Sequence, residues 1–213
     1  MKAIVSAVAG ATGLVGGFVL SRLLGDPSVA RVVAPTRRPV APHPKLVNPI
    51  LTDKTWPALP PIDEAYACLG ATMLKGHGKA AFRAVDLDLT KAFARATRAA
   101  GAGRFGLVSS VGADARSRFF YPRVKAEAEA AVGGAGFVST VIARPSFLLG
   151  PRLEPRPGDG VVLAVMKLLD PLMAGRLRRW RAIEADDVAA ALISAVRGKV
   201  PGVLVLESED LRA

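Results

Sequence analysis

Residues 8–17 read VAGATGLVGG, placing Gly10, Gly13 and Gly16 three apart between an apolar β-branched run and a Leu-rich amphipathic stretch. In this GxxGxxG arrangement the first glycine permits a tight turn. The second lets backbone N–H groups approach a pyrophosphate, and the third lets a helix pack on a strand. A glycine trio alone also fits plain turn and packing needs. Its position, after a first strand and at the start of a first helix, favours a dinucleotide-binding turn.

Outward from this turn, short apolar runs alternate with longer Ala- and Leu-rich segments, the pattern of a parallel sheet covered by helices. The expected strands lie near 3–9, 30–35, 46–51, 64–69, 104–109, 137–143 and 202–206. The expected helices lie near 14–24, 78–100, 119–133, 160–174 and 186–197. Gly25-Asp26-Pro27, Gly101 with Gly103, and GGAG at 133–136 supply the turns between them. The fold class is therefore α/β, a doubly wound parallel sheet of Rossmann type. Residues 1–213 form a single dinucleotide-binding domain, to which 150–213 contribute a small substrate-side extension beyond LLGPRLEPRPGDG at 148–160.

The composition, 51% hydrophobic, is enough for a substantial core. The single cysteine, Cys68, excludes an intrachain disulfide framework, and two scattered histidines leave no metal-binding spacing. A reducing, cytoplasmic location is the expectation, with no metal. Lys2 ahead of the uncharged stretch Ala3–Leu20 has the outline of a leader or a membrane span, but four glycines weaken such a helix. The net charge of +11 is spread along the chain. Its densest group, GRLRRWR at 175–181, is too isolated to favour nucleic acid. Pro171 interrupts the apolar run before that group, which disfavours a membrane surface as partner. A monomer or homodimer is expected.

At the tip of the second strand, where an NAD-binding site commonly carries an acid on the ribose, the chain reads PTRRP. Thr36, Arg37 and Arg38 suit a 2′-phosphate, so NADP(H) is preferred, with NAD(H) possible. After the fourth strand, CLGATM offers Leu69 and Gly70 for close backbone approach, and Cys68 reads as a small buried hydrophobe. After the fifth come Ser109 and Ser110. Tyr121 and Lys125, in YPRVK, fall one turn apart on one helical face, with Pro122 suited to a first turn. The plain alternative pairs Lys125 with Glu129 at i, i+4, a poor order worth only about 0.2–0.5 kcal/mol.

The glycine turn, LVSSVGADARSRFFYPRVKAEAEA and IARPSFLLGPR together resemble the extended and atypical short-chain dehydrogenase/reductases. Within them the chain resembles the small NAD(P)-binding oxidoreductases related to the HIV Tat-interactive protein 2. The resemblance implies hydride transfer between the cofactor and a carbonyl or alcohol. It makes Tyr121 the general acid or base, with Lys125 tuning it and holding the nicotinamide ribose, and Ser110 a donor to the carbonyl oxygen. It assigns cofactor contacts to Gly10, Thr12, Gly13, Leu14, Val15, Gly16, Thr36, Arg37, Arg38, Leu69, Gly70, Ser109, Tyr121, Lys125, Arg144 and Pro145. Asp187 is expected either to cap its helix or to touch substrate. The complete Ser-Tyr-Lys set argues against a catalytically silent NADPH-binding scaffold or redox sensor acting through protein partners. The short segment after Gly150 argues against a nucleotide-sugar epimerase. Arg116, Arg118, Arg152 and Arg156 border the expected substrate loops and suit an anionic or carbonyl-rich ligand.

Overall fold

Six small or β-branched residues, Ile4–Ala9, form β1, and its last four are buried on both faces, as a central parallel strand requires. The computed structural model describes residues 3–51, 56–71, 78–150, 179–198 and 200–212. The expected helix at 160–174, Lys2, Arg152, Arg156 and most of the 175–181 basic group lie outside these residues.

From β1 the chain turns through the glycines into α1 (Leu14–Gly25), then β2 (Val29–Val33), a short β3 (Leu46–Val47) and β4 (Glu64–Ala67). A helical stretch follows in three parts: α2 (Gly78–Arg83), a π-helical turn (Ala84–Leu89) and α3 (Thr90–Ala99). Then come β5 (Arg104–Val108), α4 (Phe120–Gly133), β6 (Ser139–Arg144), β7 (Leu148–Leu149), β8 (Ile183–Glu184), α5 (Ala185–Arg197) and β9 (Gly202–Glu207). Seven strands make one parallel sheet in the order β3-β2-β1-β4-β5-β6-β9, and β7 pairs with β8 beside it. Chain order reverses between β1 and β4, which puts the ligand crevice of such a sheet beyond their carboxyl ends.

Two apolar layers sandwich the sheet. Val15, Val19 and Leu23 of α1 and Val188, Leu192 and Val196 of α5 pack on one face with Val8, Tyr66 and Val141. On the other, Phe93 and Ala94 of α3 and Val132 of α4 pack with Ala65, Phe105 and Ile142. The run Ala3–Leu20 is thus divided between a strand and a helix, and no helix among the described residues is long and apolar enough to cross a membrane.

Two expectations need adjustment. The strand expected at 46–51 ends at Val47, because Asn48 turns its side chain onto the Ala34 carbonyl (2.6 Å) and Pro49 has no N–H. A single bridge, Thr36 with Ile50, resumes the pairing. The helix expected over 78–100 is described from Gly78 and contains the π-turn. Carbonyls displaced there find other donors: Thr90 Oγ1 reaches Val85 O at 3.4 Å, and Trp56 Nε1 reaches Leu89 O at 3.1 Å.

Candidate active site

The glycine turn is built by close approach. Gly10 holds φ at 81°, a left-handed value, and a Cβ there would lie 2.4 Å from the Cys68 carbonyl oxygen. A Cβ on Gly16 would lie 2.0 Å from Gly10 O, so α1 can meet the turn only through a glycine. Gly13 precedes α1 in extended conformation and donates its N–H to Gly10 O at 2.9 Å. No side chain caps this helix end and no acid stands in its first turn, which leaves its N–H groups and positive dipole end to an anion. Thr12 and Gly13 are exposed, Leu14 is half-buried, and Val15 and Gly16 are buried.

The loop after β2 is clamped from within. Buried Thr36 donates its hydroxyl to Arg38 O (2.6 Å) and accepts from Asn48 Nδ2 (2.8 Å), while Val40 N–H donates to Asn48 Oδ1 at 3.1 Å. Arg37 and Arg38 are therefore held out at an ordered tip. Both are exposed, with no ion-pair partner among the described residues. Thr36 spends its hydroxyl on shaping the loop, and Asn48, which sequence reasoning missed, is the residue that organises it.

Beyond β4, Cys68 N–H still donates to Ala9 O (2.9 Å), and burial pushes the Cys68 thiol up to about 12. It stays a thiol and acts as a packing residue. Leu69 is half-buried and Gly70 exposed.

α4 supplies the proposed acid–base pair. Phe119 precedes it, Pro122 lies in its first turn, and Tyr121 packs against Phe82 with ring centroids 5.2 Å apart. Lys125, one turn on, is buried, and its Nζ lies 2.7 Å from Asp86 Oδ1 in the π-turn. The other oxygen, Asp86 Oδ2, accepts the Ala71 N–H at 2.8 Å. Ala71, Phe120 and Tyr121 border the same apolar cluster of Phe82, Leu87, Val124 and Ala128. The alternative pairing of Lys125 with Glu129 is not made, since Lys125 meets Asp86 and Glu129 meets Arg144.

Glu129 instead serves a second network. Ser109 Oγ donates to Glu129 Oε1 at 2.5 Å, and Arg144 donates to both Glu129 oxygens (3.0 and 2.7 Å) and to Glu207 (2.9 Å). Those bonds join β5, α4, β6 and β9, and they occupy the side chains of Ser109 and Arg144 inside the protein. Pro145 is buried, its carbonyl accepting from Val111 N–H at 2.9 Å. Ser110 stands just past the end of β5, half-buried, and among the described residues its hydroxyl has only a 3.3 Å contact to Val111 O. Trp180 packs 3.5 Å from where a Cβ of Gly112 would lie, on the loop that follows Ser110. Arg116 and Arg118 on this loop are exposed. Asp187 does not cap α5: Glu184 takes that position, and Asp187 sits in the first turn beside Asp186, whose carboxylate pairs with Arg22. Among the described residues no group of His, Cys, Asp or Glu could hold a metal ion.

No family model matches the chain. Protein fmp52, mitochondrial, from Aspergillus niger is 35% identical over 224 residues, covering 96% of this chain and 95% of its own. The protein of the same name from Aspergillus clavatus is 36% identical with the same coverage. Among solved structures, MoeE5 in complex with UDP-glucuronic acid and NAD superposes with a TM-score of 0.72 at 18% identity, over 94% of this chain and 75% of that one. The human epimerase family protein SDR39U1 with NADPH gives 0.66 at 20% identity, over 96% and 74%. The expectation of a cytoplasmic location is overturned by the curated relatives, which are named mitochondrial. A single cysteine indicates reducing surroundings at most and carries no organelle address.

Proposed function

The chain belongs to the family of the fungal fmp52 proteins, and from that premise we propose that it is a mitochondrial NADP(H)-dependent oxidoreductase acting on a carbonyl or alcohol. The observation carrying this reading is Lys125, a buried ammonium one turn from Tyr121 on the helix that follows the Ser110 strand end. The residues present fit a dinucleotide: Gly10 and Gly16 leave no room for a Cβ beneath the turn, the first end of α1 is uncapped, and two exposed guanidinium groups, without an ion-pair partner among the described residues, stand after β2.

In this reading the turn from Gly10 to Gly16 holds the pyrophosphate through backbone N–H groups. Arg37 and Arg38 meet the 2′-phosphate, and Gly70 lets the backbone approach the adenosine side. When bound, the dinucleotide supplies or accepts the hydride. Ser110 donates its hydroxyl to the substrate oxygen. Tyr121 gives that oxygen its phenolic proton in reduction and takes it back in oxidation, while Lys125 supplies the charge that offsets a phenolate. Trp180 and the loop after Ser110 border the substrate.

Replacing Tyr121 by Phe removes the proton and little else. We expect turnover of a carbonyl panel, followed by cofactor absorbance, to fall by about 10²-fold or more, with NADPH affinity within about twofold of the parent. Equal loss of binding and turnover would instead make Tyr121 structural. Tight NADPH binding with no oxidation across the panel would favour the binding-only alternative.

A further inference from the structure

We propose that Asp86 is a positioning residue of this site: its carboxylate holds the Lys125 ammonium with one oxygen and the turn after β4 with the other, making the two one unit. This inference rests on the cofactor reading above. Asp86 is 2% exposed and Lys125 6% exposed, and the pair is set against the apolar side chains of Phe82, Leu87, Val124 and Ala128. Burying an ion pair costs desolvation that its attraction repays poorly, so apolar residues of similar size would stabilise such a place at least as well. Stability is a weak reason for the pair to be there.

Placement gives a better one. Asp86 lies in the π-turn between α2 and α3, a geometry that inserts an extra residue, costs helical bonds and recurs at functional sites. The lost bonds are offset by Thr90 and Trp56. The turn brings Asp86 Oδ2 to the Ala71 N–H at 2.8 Å, directly after Leu69 and Gly70, and Oδ1 to Lys125 Nζ at 2.7 Å. An ammonium has three donors, and among the described residues Asp86 is the only partner of this one. The contact is one of charge, Asp86 Oδ1 accepting no aligned hydrogen bond among the described residues, so the ammonium is held in place with its donors kept for a ligand's hydroxyl groups. A cofactor that orders the Leu69–Ala71 turn acts on Lys125 through the same carboxylate.

The test is a double-mutant cycle on NADPH affinity, read by fluorescence titration of Asp86→Asn, Lys125→Met and the double variant, each with a cooperative thermal transition. We expect Asp86→Asn to weaken NADPH binding about tenfold, the scale of one charge-assisted hydrogen bond, and the double variant to bind no worse than Lys125→Met. An Asp86→Asn protein within twofold of the parent, or two effects that simply multiply, would overturn the proposal. Should Asp86→Asn not fold, the parent protein still decides the matter. NADPH should slow both hydrogen exchange at the Ala71 amide and acylation of Lys125 located by mass spectrometry, at the same half-saturating concentration. Protection of one without the other overturns the coupling. A parent protein that binds no NADPH is a different result and overturns the cofactor reading itself.

Discussion

At single residues, the decisive quantity is the room left for one carbon. Gly16→Ala would push a Cβ to 2.0 Å from Gly10 O, and backbone has nowhere to yield. We expect it to destabilise the protein by about 3 kcal/mol and to abolish NADPH binding, measured by thermal unfolding and fluorescence titration. Gly17→Ala is the control: its nearest neighbour is Ala11 O at 3.7 Å, an ordinary contact, and an alanine inside α1 should stabilise by about 0.5–1 kcal/mol. Arg37→Ala should weaken NADPH about tenfold while leaving NADH affinity unchanged, since its guanidinium has no partner within the described chain. The close approach at Gly10 and Gly16 was legible in the sequence because its meaning is local, a forced turn and a missing Cβ, and so was the exposed place of Arg37 and Arg38 after β2. Asp86 and Asn48 were not. Each acts on residues remote in sequence, at Lys125 and at Ala34 to Val40, and no periodicity records such a pairing.

Elements were read well where burial sets their pattern. β1, α1, β5, α4, β6 and α5 lie within a few residues of their expected limits, because apolar alternation and glycine stops define them. β3 is shorter than expected, with Asn48 beyond it bonded back to the Ala34 carbonyl, and the π-turn, where Asp86 accepts the Ala71 N–H, leaves no mark in the apolar pattern. The bonds that join elements were equally hidden. Glu129 joins α4 to β5 and β6 from a position that reads, in sequence, as a helical partner of Lys125. Removing it leaves the Arg144 guanidinium short of its main partner, so Glu129→Ala should cost about 3–5 kcal/mol in denaturant unfolding. Glu207 holds the same arginine from a side chain that is 37% exposed, and Glu207→Ala should cost under about 1 kcal/mol. Comparable losses from both would mean that the network has no buried centre.

Across the whole molecule, the end of the sheet remote from the site is closed by charge. Arg197 of α5 pairs with Asp26 after α1 and with Glu64, fully buried at the start of β4, which Arg104 also approaches at 3.4 Å. The guanidinium of Arg197, helped by Ser28, holds the Asp26 carboxyl at about 2, below its ordinary 3.8. A lowered folded-state value stabilises the protein above about pH 4, and this contribution fades as the pH falls toward 2. The thermal midpoint of Asp26→Asn should therefore lie below that of the parent at pH 7, with the gap closing between pH 4 and pH 2. A gap that persists at pH 2 would assign the loss to packing. Chain order gives this closure a further meaning during synthesis. β1 has both its neighbours, β2 and β4, within the first 67 residues, yet the carboxylate between them and the later strands waits for Arg104 and then for Arg197. Synthesis must therefore pass through α5 before the last charge at the foot of the sheet is neutralised. β1, which leads into the glycine turn, is thus made first, and the charge that closes the opposite end of its sheet arrives only with α5.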